Sequence, residues 1–147
     1  MSSVREALIQ AVVARFKTIT TANGYATAIG TKVYPWRKTP LAVSELPAIL
    51  VWDQGAEMSR ETLRNTTGHT LSFTAALYVH GKTTASQARE GLNDMFKAIW
   101  TDPLFSGLAT QYIPKNHDLT MEVDGDICGA GHIQFDLVYY TATPGTI

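Results

Sequence analysis

Two stretches of this chain alternate apolar and polar residues at a period of two, and that pattern restricts its fold more than any other feature. Leu71, Phe73, Ala75, Leu77 and Val79 fall on one set of positions, with Thr70, Ser72, Thr74, Tyr78 and His80 on the other. Near the end, Ile133, Phe135, Leu137 and Tyr139 alternate in the same way with His132, Gln134, Asp136, Val138 and Tyr140. A strand turns successive side chains to opposite faces, so each stretch reads as a strand buried on one side only. Something apolar must cover the buried side, and the sequence offers two helices for it.

Val4, Leu8, Val12, Phe16 and Ile19 recur at three- and four-residue steps and line one face of a first helix. Ser3 and Glu6 have the spacing of a capping box, Asn23-Gly24 supplies a left-handed stop, and Thr18, Thr20 and Thr21 predict fraying before it. A second helix is predicted from about Ala85 to Thr101, with Ala88, Leu92, Met95, Phe96 and Ile99 as its stripe and Asp102-Pro103 as its end. Gly91 lies beside that stripe, where a glycine costs about 1 kcal/mol against alanine, so close approach to a sheet is its expected reason.

Pro47 to Trp52 is a continuous apolar run expected to be a central strand, Leu119 to Val123 a short alternating strand, and Lys32-Val33-Tyr34 an edge strand stopped by Pro35. Glu57 to Asn65 reads as a polar ribbon leading through Thr66-Thr67-Gly68 into the next strand, as a long hairpin would. A helix there is the alternative, but Glu57 with Glu61 and Arg60 with Arg64 are like-charge pairs at four-residue spacing, and only Met58 and Leu63 are strongly apolar. The predicted order is α-β-β-β-β-α-β-β: an α+β fold, a single domain over 1–147 with a largely antiparallel β-sheet and two main helices packed on one face. The small residues of 141–147 are expected to form a flexible C-terminal tail.

Composition supports one core. Of 147 residues, 45% are hydrophobic and 17% charged, which fits a globular chain and argues against a disordered one. Net charge is −1, so there is no chain-wide basic field to attract nucleic acid. The charge is nonetheless uneven: residues 1–74 hold eight Lys or Arg against five acids, and residues 75–147 hold four against eight. A molecule polar in that sense could stack head-to-tail with its own copies, unless the halves interleave in space. Cys128 is the single cysteine, so no internal disulfide forms, which suits a reducing compartment. No stretch approaches the roughly 18 apolar residues of a membrane span, and the start at Met1 to Glu6 has no signal-peptide pattern, so the expectation is a chain made in the cytoplasm with no membrane partner.

The search for chemistry finds little. His69, His80, His117 and His132 have no metal-ligand spacing. Glu122, Asp124 and Asp126 alternate like an oxygen-ligand loop, but counting from Asp124 only the glycine of the EF-hand spacing is present, as Gly129. Cys128 lies in a glycine-rich turn, Gly125 to His132, where pairing with His132 would make a thiol nucleophile; nothing marks an orienting third group. No phosphate-binding glycine loop and no nucleophile elbow occurs. The expectation is no enzyme, no metal and no cofactor. A small enzyme or ligand-binding domain using Cys128 and His132 is the alternative. Contact residues stand out more clearly: Pro35-Trp36-Arg37-Lys38-Thr39-Pro40 sets a tryptophan beside two cations in a loop pinned by prolines, and Trp and Arg are enriched at binding hot spots.

The order of these features is familiar. The opening helix with Arg5 and Leu8, the Asn23-Gly24-Tyr25 end, Lys32-Val33-Tyr34, Leu46-Pro47-Ala48-Ile49, the polar Glu57 to Arg64 ribbon, the alternating strand to His80-Gly81, the helix and the closing Tyr139-Tyr140 strand together resemble the tail-terminator (tail-completion, or minor tail) proteins of long-tailed bacteriophages. The likeness spans nearly the whole chain and lies in size, element order and turn residues. It implies a structural virion protein, placed at the head-proximal end of the tail and assembled in the host cytoplasm. Its copies would form a ring, hexameric in that family, that ends tube growth and offers a surface to a neck or head-completion protein. Its partners would be itself, the tail tube protein and that neck protein, with DNA passing through the lumen unread. The interface residues implied are Trp36, Arg37 and Lys38 in the loop and Glu57, Arg60, Glu61 and Arg64 in the ribbon. Another tail or head–tail connector component is the other reading.

Overall fold

A computed structural model describes residues 3–37, 41–61, 66–81, 84–124 and 126–142. The chain forms a single α+β domain. Helix α1 (Val4–Lys17) precedes strands β1 (Val33–Pro35), β2 (Ala48–Glu61) and β3 (Thr66–His80); helix α2 (Thr84–Thr101) precedes β4 (Gln111–Asp124) and β5 (Asp126–Ala142). The five strands make one sheet in the order β1-β2-β3-β5-β4, antiparallel at every step except the parallel β1–β2 pair.

Both helices cover the same face. Leu8, Val12 and Phe16 of α1 and Met95, Ala98 and Ile99 of α2 are buried in one cluster with Ile49, Val51, Phe73, Leu77, Ile133, Phe135 and Leu137 of the sheet. The period-two strands thus bury the predicted residues, and Phe73 stacks on Phe135 across the β3–β5 pair at 5.4 Å between centroids. Burial of such side chains contributes roughly 25 cal/mol per Å² of apolar surface and drives the collapse of the two layers.

The helix ends follow the local chemistry. Ser3 caps α1, its Oγ accepting the Glu6 N–H at 3.1 Å, while the Glu6 carboxylate accepts from Gln10. The helix closes at Thr18, and after a turn of 3-10 helix Gly24 takes φ +88°. The C-terminal end of α2 is closed from outside: Arg15 Nη1 donates to the carbonyls of Ala98 (3.1 Å) and Asp102 (2.8 Å), placing a cation at the negative end of the helix dipole. Gly91 has its expected reason, since a Cβ there would stand 2.3 Å from Leu77 Cδ2.

Four expectations need correction. The polar ribbon makes the expected hairpin with β3, Glu57 to Glu61 pairing with Thr70 to Thr66 and residues 62–65 lying outside the described residues, but it is the outer part of one strand: β2 runs from Ala48 to Glu61 with a bulge between Asp53 and Ala56, so three strands and not four separate the helices. β4 is much longer than Leu119 to Val123, because Pro114 sits on an edge strand, where a missing N–H is tolerated, beside a bulge at Lys115. The glycine-rich segment before His132 is strand too. β5 starts at Asp126, and Gly131 allows α2 to approach, a Cβ there standing 2.9 Å from Leu92 side-chain atoms. Thr141 and Ala142, expected in the tail, belong to β5, where buried Thr141 Oγ1 lies 2.9 Å from His69 Nε2; residues 143–147 lie outside the described residues.

Candidate functional site

The loop after β1 is built around a buried carboxylate. Asp53 follows Ile49 and Val51 on the helix-covered side of β2, where alternation would place an apolar residue, and it is almost completely buried. Arg5 Nε donates to its Oδ2 at 2.5 Å, and Trp36 Nε1 donates to its Oδ1 at 2.5 Å. Arg5 Nη2 also donates to the Gln54 carbonyl at 2.7 Å. Burial pushes the Asp53 carboxyl pKa up, but the hydrogen bonds from Trp36 and Arg5 outweigh it and hold it below the ordinary value. α1, the loop and the β2 bulge are thus tied at one point.

Trp36 is held at its nitrogen while the residue remains 59% exposed, at a backbone φ of +49°. Arg37 is engaged within the molecule. Its guanidinium meets Glu45 in a two-point pair, Nη1 to Oε2 at 2.5 Å and Nη2 to Oε1 at 2.8 Å, and lies 4.7 Å over the Tyr34 ring. That pair, through its hydrogen bonds, holds the Glu45 carboxyl below its ordinary pKa. Lys38 lies outside the described residues, as does Arg64. Glu57 is exposed on β2; Arg60 and Glu61 are in the same strand, paired in register with Thr67 and Thr66. The loop and the ribbon therefore share one edge of the sheet, the loop beside Val51 and Asp53 and the ribbon further along β2.

That edge is only partly covered. β1 pairs with Ile49 to Val51 alone, so past Val51 no described strand flanks β2 on that side. β4 forms the opposite edge over its whole length. The β2–β3 hairpin and the β4–β5 hairpin turn at opposite ends of the sheet, since Thr66 of β3 pairs with Ala142 and His80 with Cys128. On the helix side of each free edge stands an exposed apolar side chain, Met58 at 62% and Leu119 at 43%. Sequence reading missed both, along with Asp53. An acid at the second inward position after Ile49 was the available signal for Asp53.

The halves of the chain do not interleave at these edges. Both edge strands carry an acidic excess: β2 has Arg60 with Asp53, Glu57 and Glu61, and β4 has Lys115 with Asp118, Glu122 and Asp124. Cys128 and His132 are four residues apart on β5, hence about 13 Å apart along the strand, far beyond hydrogen-bond reach. His132 instead has Nδ1 at 3.2 Å from Asp118 Oδ1, off-line for a hydrogen bond. No group of three or more metal-ligating side chains is found among the described residues, and none of their helices is long and apolar enough to cross a membrane.

No protein-family model matches this chain, and no curated protein matches it.

Proposed function

We propose that this chain is a structural component of a phage tail, assembling with its own copies into a ring that caps the head-proximal end of the tail tube. The observation that carries this reading is the pair of open edges at opposite sides of one sheet, different in strand content, on a domain whose helices occupy a single face. Contacts between unlike surfaces of identical subunits are heterologous, and they close into rings when the rotation allows. The resemblance in element order to tail-terminator proteins supplies the setting: six copies, a face for the tube, a face for the neck protein and a lumen for DNA. The action is adhesion and shape, with no bond made or broken.

Electron microscopy of particles assembled without this protein tests the proposal. Overlong tails lacking heads are expected. Normal-length tails without heads would move the protein to another neck or connector position, and finished, infectious particles would remove it from the tail altogether.

A further inference from the structure

We infer that copies of this chain join edge to edge, β4 of one copy adding antiparallel to the outer half of β2 of the next, with Leu119 set opposite Met58. The inference deepens the ring reading by naming its subunit contact, and rests on that reading only for closure of the ring.

The regular run of β4, from Asn116 to Asp124, is long enough to cover the free run of β2. On β2, Arg5 occupies the Gln54 carbonyl and β1 has ended, which leaves Ala56–Glu61 as six residues without an outer strand among the described residues. On β4, Pro114 and the bulge at Lys115 disrupt the upper edge, as edge strands do when pairing must be prevented. The regular run begins at Asn116, and residues 116–120 are exposed. Each run presents unpaired backbone groups that a second strand can satisfy.

Polarity also agrees. β2 is antiparallel to β3, β3 to β5 and β5 to β4, so β2 and β4 run in opposite directions. A neighbour with its helices on the same side brings β4 against β2 antiparallel without being turned over; a shift along the strands from the Gly131 level to the Tyr139 level of β5 sets Leu119 beside Met58. Met58 and Leu119 then fall on the same face.

Charge selects the register. With Met58 opposite Leu119, Glu57 faces Thr120, Ser59 faces Asp118, Arg60 faces His117 and Glu61 faces Asn116, so no two acids are opposed. A slip of two residues one way opposes Glu57 to Glu122 and Glu61 to Asp118; two the other way opposes Glu57 to Asp118. Directly opposed like charges are unfavourable. A slip of one sends Leu119 and Met58 to opposite faces. One register remains.

Disulfide trapping tests this. In a Cys128→Ser background, the Met58→Cys, Leu119→Cys double variant is oxidised at roughly millimolar concentration and run without reductant. A ladder of dimers, trimers and larger species is expected, while the two single variants mixed give one cross-linked dimer and each alone stays largely monomeric. Both sites are exposed, so unfolding midpoints equal to that of the parent confirm intact folds. Absence of the ladder overturns the inference. Equal cross-linking of the Leu119→Cys single variant also overturns it, since β4 would then pair with itself. The two proposals fail separately: a ladder from a protein that leaves tails unaffected keeps the contact and removes the function, and capped tails without a ladder do the reverse.

Discussion

The indole nitrogen of Trp36 donates to the carboxylate of Asp53 at 2.5 Å while most of the residue stays in solvent. A tryptophan left largely uncovered gives up apolar burial, and here the gain is orientation: the ring is fixed at the sheet edge beside the free run of β2. Arg5 completes the arrangement from α1, so one buried acid sets the position of the loop, the bulge and the helix start.

Asp53→Asn should therefore destabilise the fold by about 2 kcal/mol, because a charge-assisted pair is lost and Arg5 is left partly buried, and Trp36→Phe by about 1 kcal/mol. Urea midpoints at neutral pH check both. The pH dependence has a definite sign. The folded-state pKa of Asp53 is depressed, so its stabilising effect is complete above the ordinary carboxylate value near 3.8 and is lost as pH falls through the lower folded value. Between pH 7 and 5 the effect of Asp53→Asn should stay constant; below pH 4 the gap between parent and variant should narrow.

Gly30 is a packing requirement. A Cβ at that position would stand 2.4 Å from the Phe16 carbonyl oxygen and 2.8 Å from Ile19 backbone atoms, and backbone cannot move aside as a side-chain tip can. Gly30→Ala should cost on the order of 2 to 3 kcal/mol by overpacking. Gly55, in the β2 bulge, has nothing within 4 Å of the same construction, so Gly55→Ala should change stability by less than about 0.5 kcal/mol. Thermal midpoints of the two variants give the comparison.

Asp94 ties α2 to the segment before β1. Its carboxylate accepts the Ala26 and Thr27 N–H groups at 3.2 and 2.8 Å and the Thr27 hydroxyl at 2.6 Å, and the residue is buried. Asp94→Ala should lower stability by roughly 1 kcal/mol, since the N–H groups of exposed Ala26 and half-buried Thr27 lose a charged acceptor to water. Faster amide exchange at Ala26 and Thr27 should accompany it.

What the sequence made legible was whatever a short window records. The stripe from Val4 to Phe16 and the alternation from Leu71 to Val79 each bury one face of one element, so their period suffices. The Ser3 cap was readable for the same reason. The extent of β4 was not, because Pro114 breaks a strand pattern unless the strand is known to lie at an edge, and edge position is a property of the whole sheet. The glycines around Cys128 looked like a turn since nothing local shows that Leu92 of a helix presses on Gly131. The loop around Trp36 stood out in the sequence, but the partners of Arg37 and Trp36 within the fold did not: Glu45 and Asp53 come from elsewhere in the chain. The uneven charge of the two halves does not carry over to the sheet edges, since β2 and β4 each hold three acids and one cation.

The proposed capping is tested most directly by adding the purified protein to tail tube protein encoded in the same genome during polymerisation and measuring tube length by microscopy. The account predicts that mean length falls as the ratio of this protein to tube protein rises, with a ring visible at one end of each tube. Tubes that reach the same length at every ratio, with both ends bare, would contradict it.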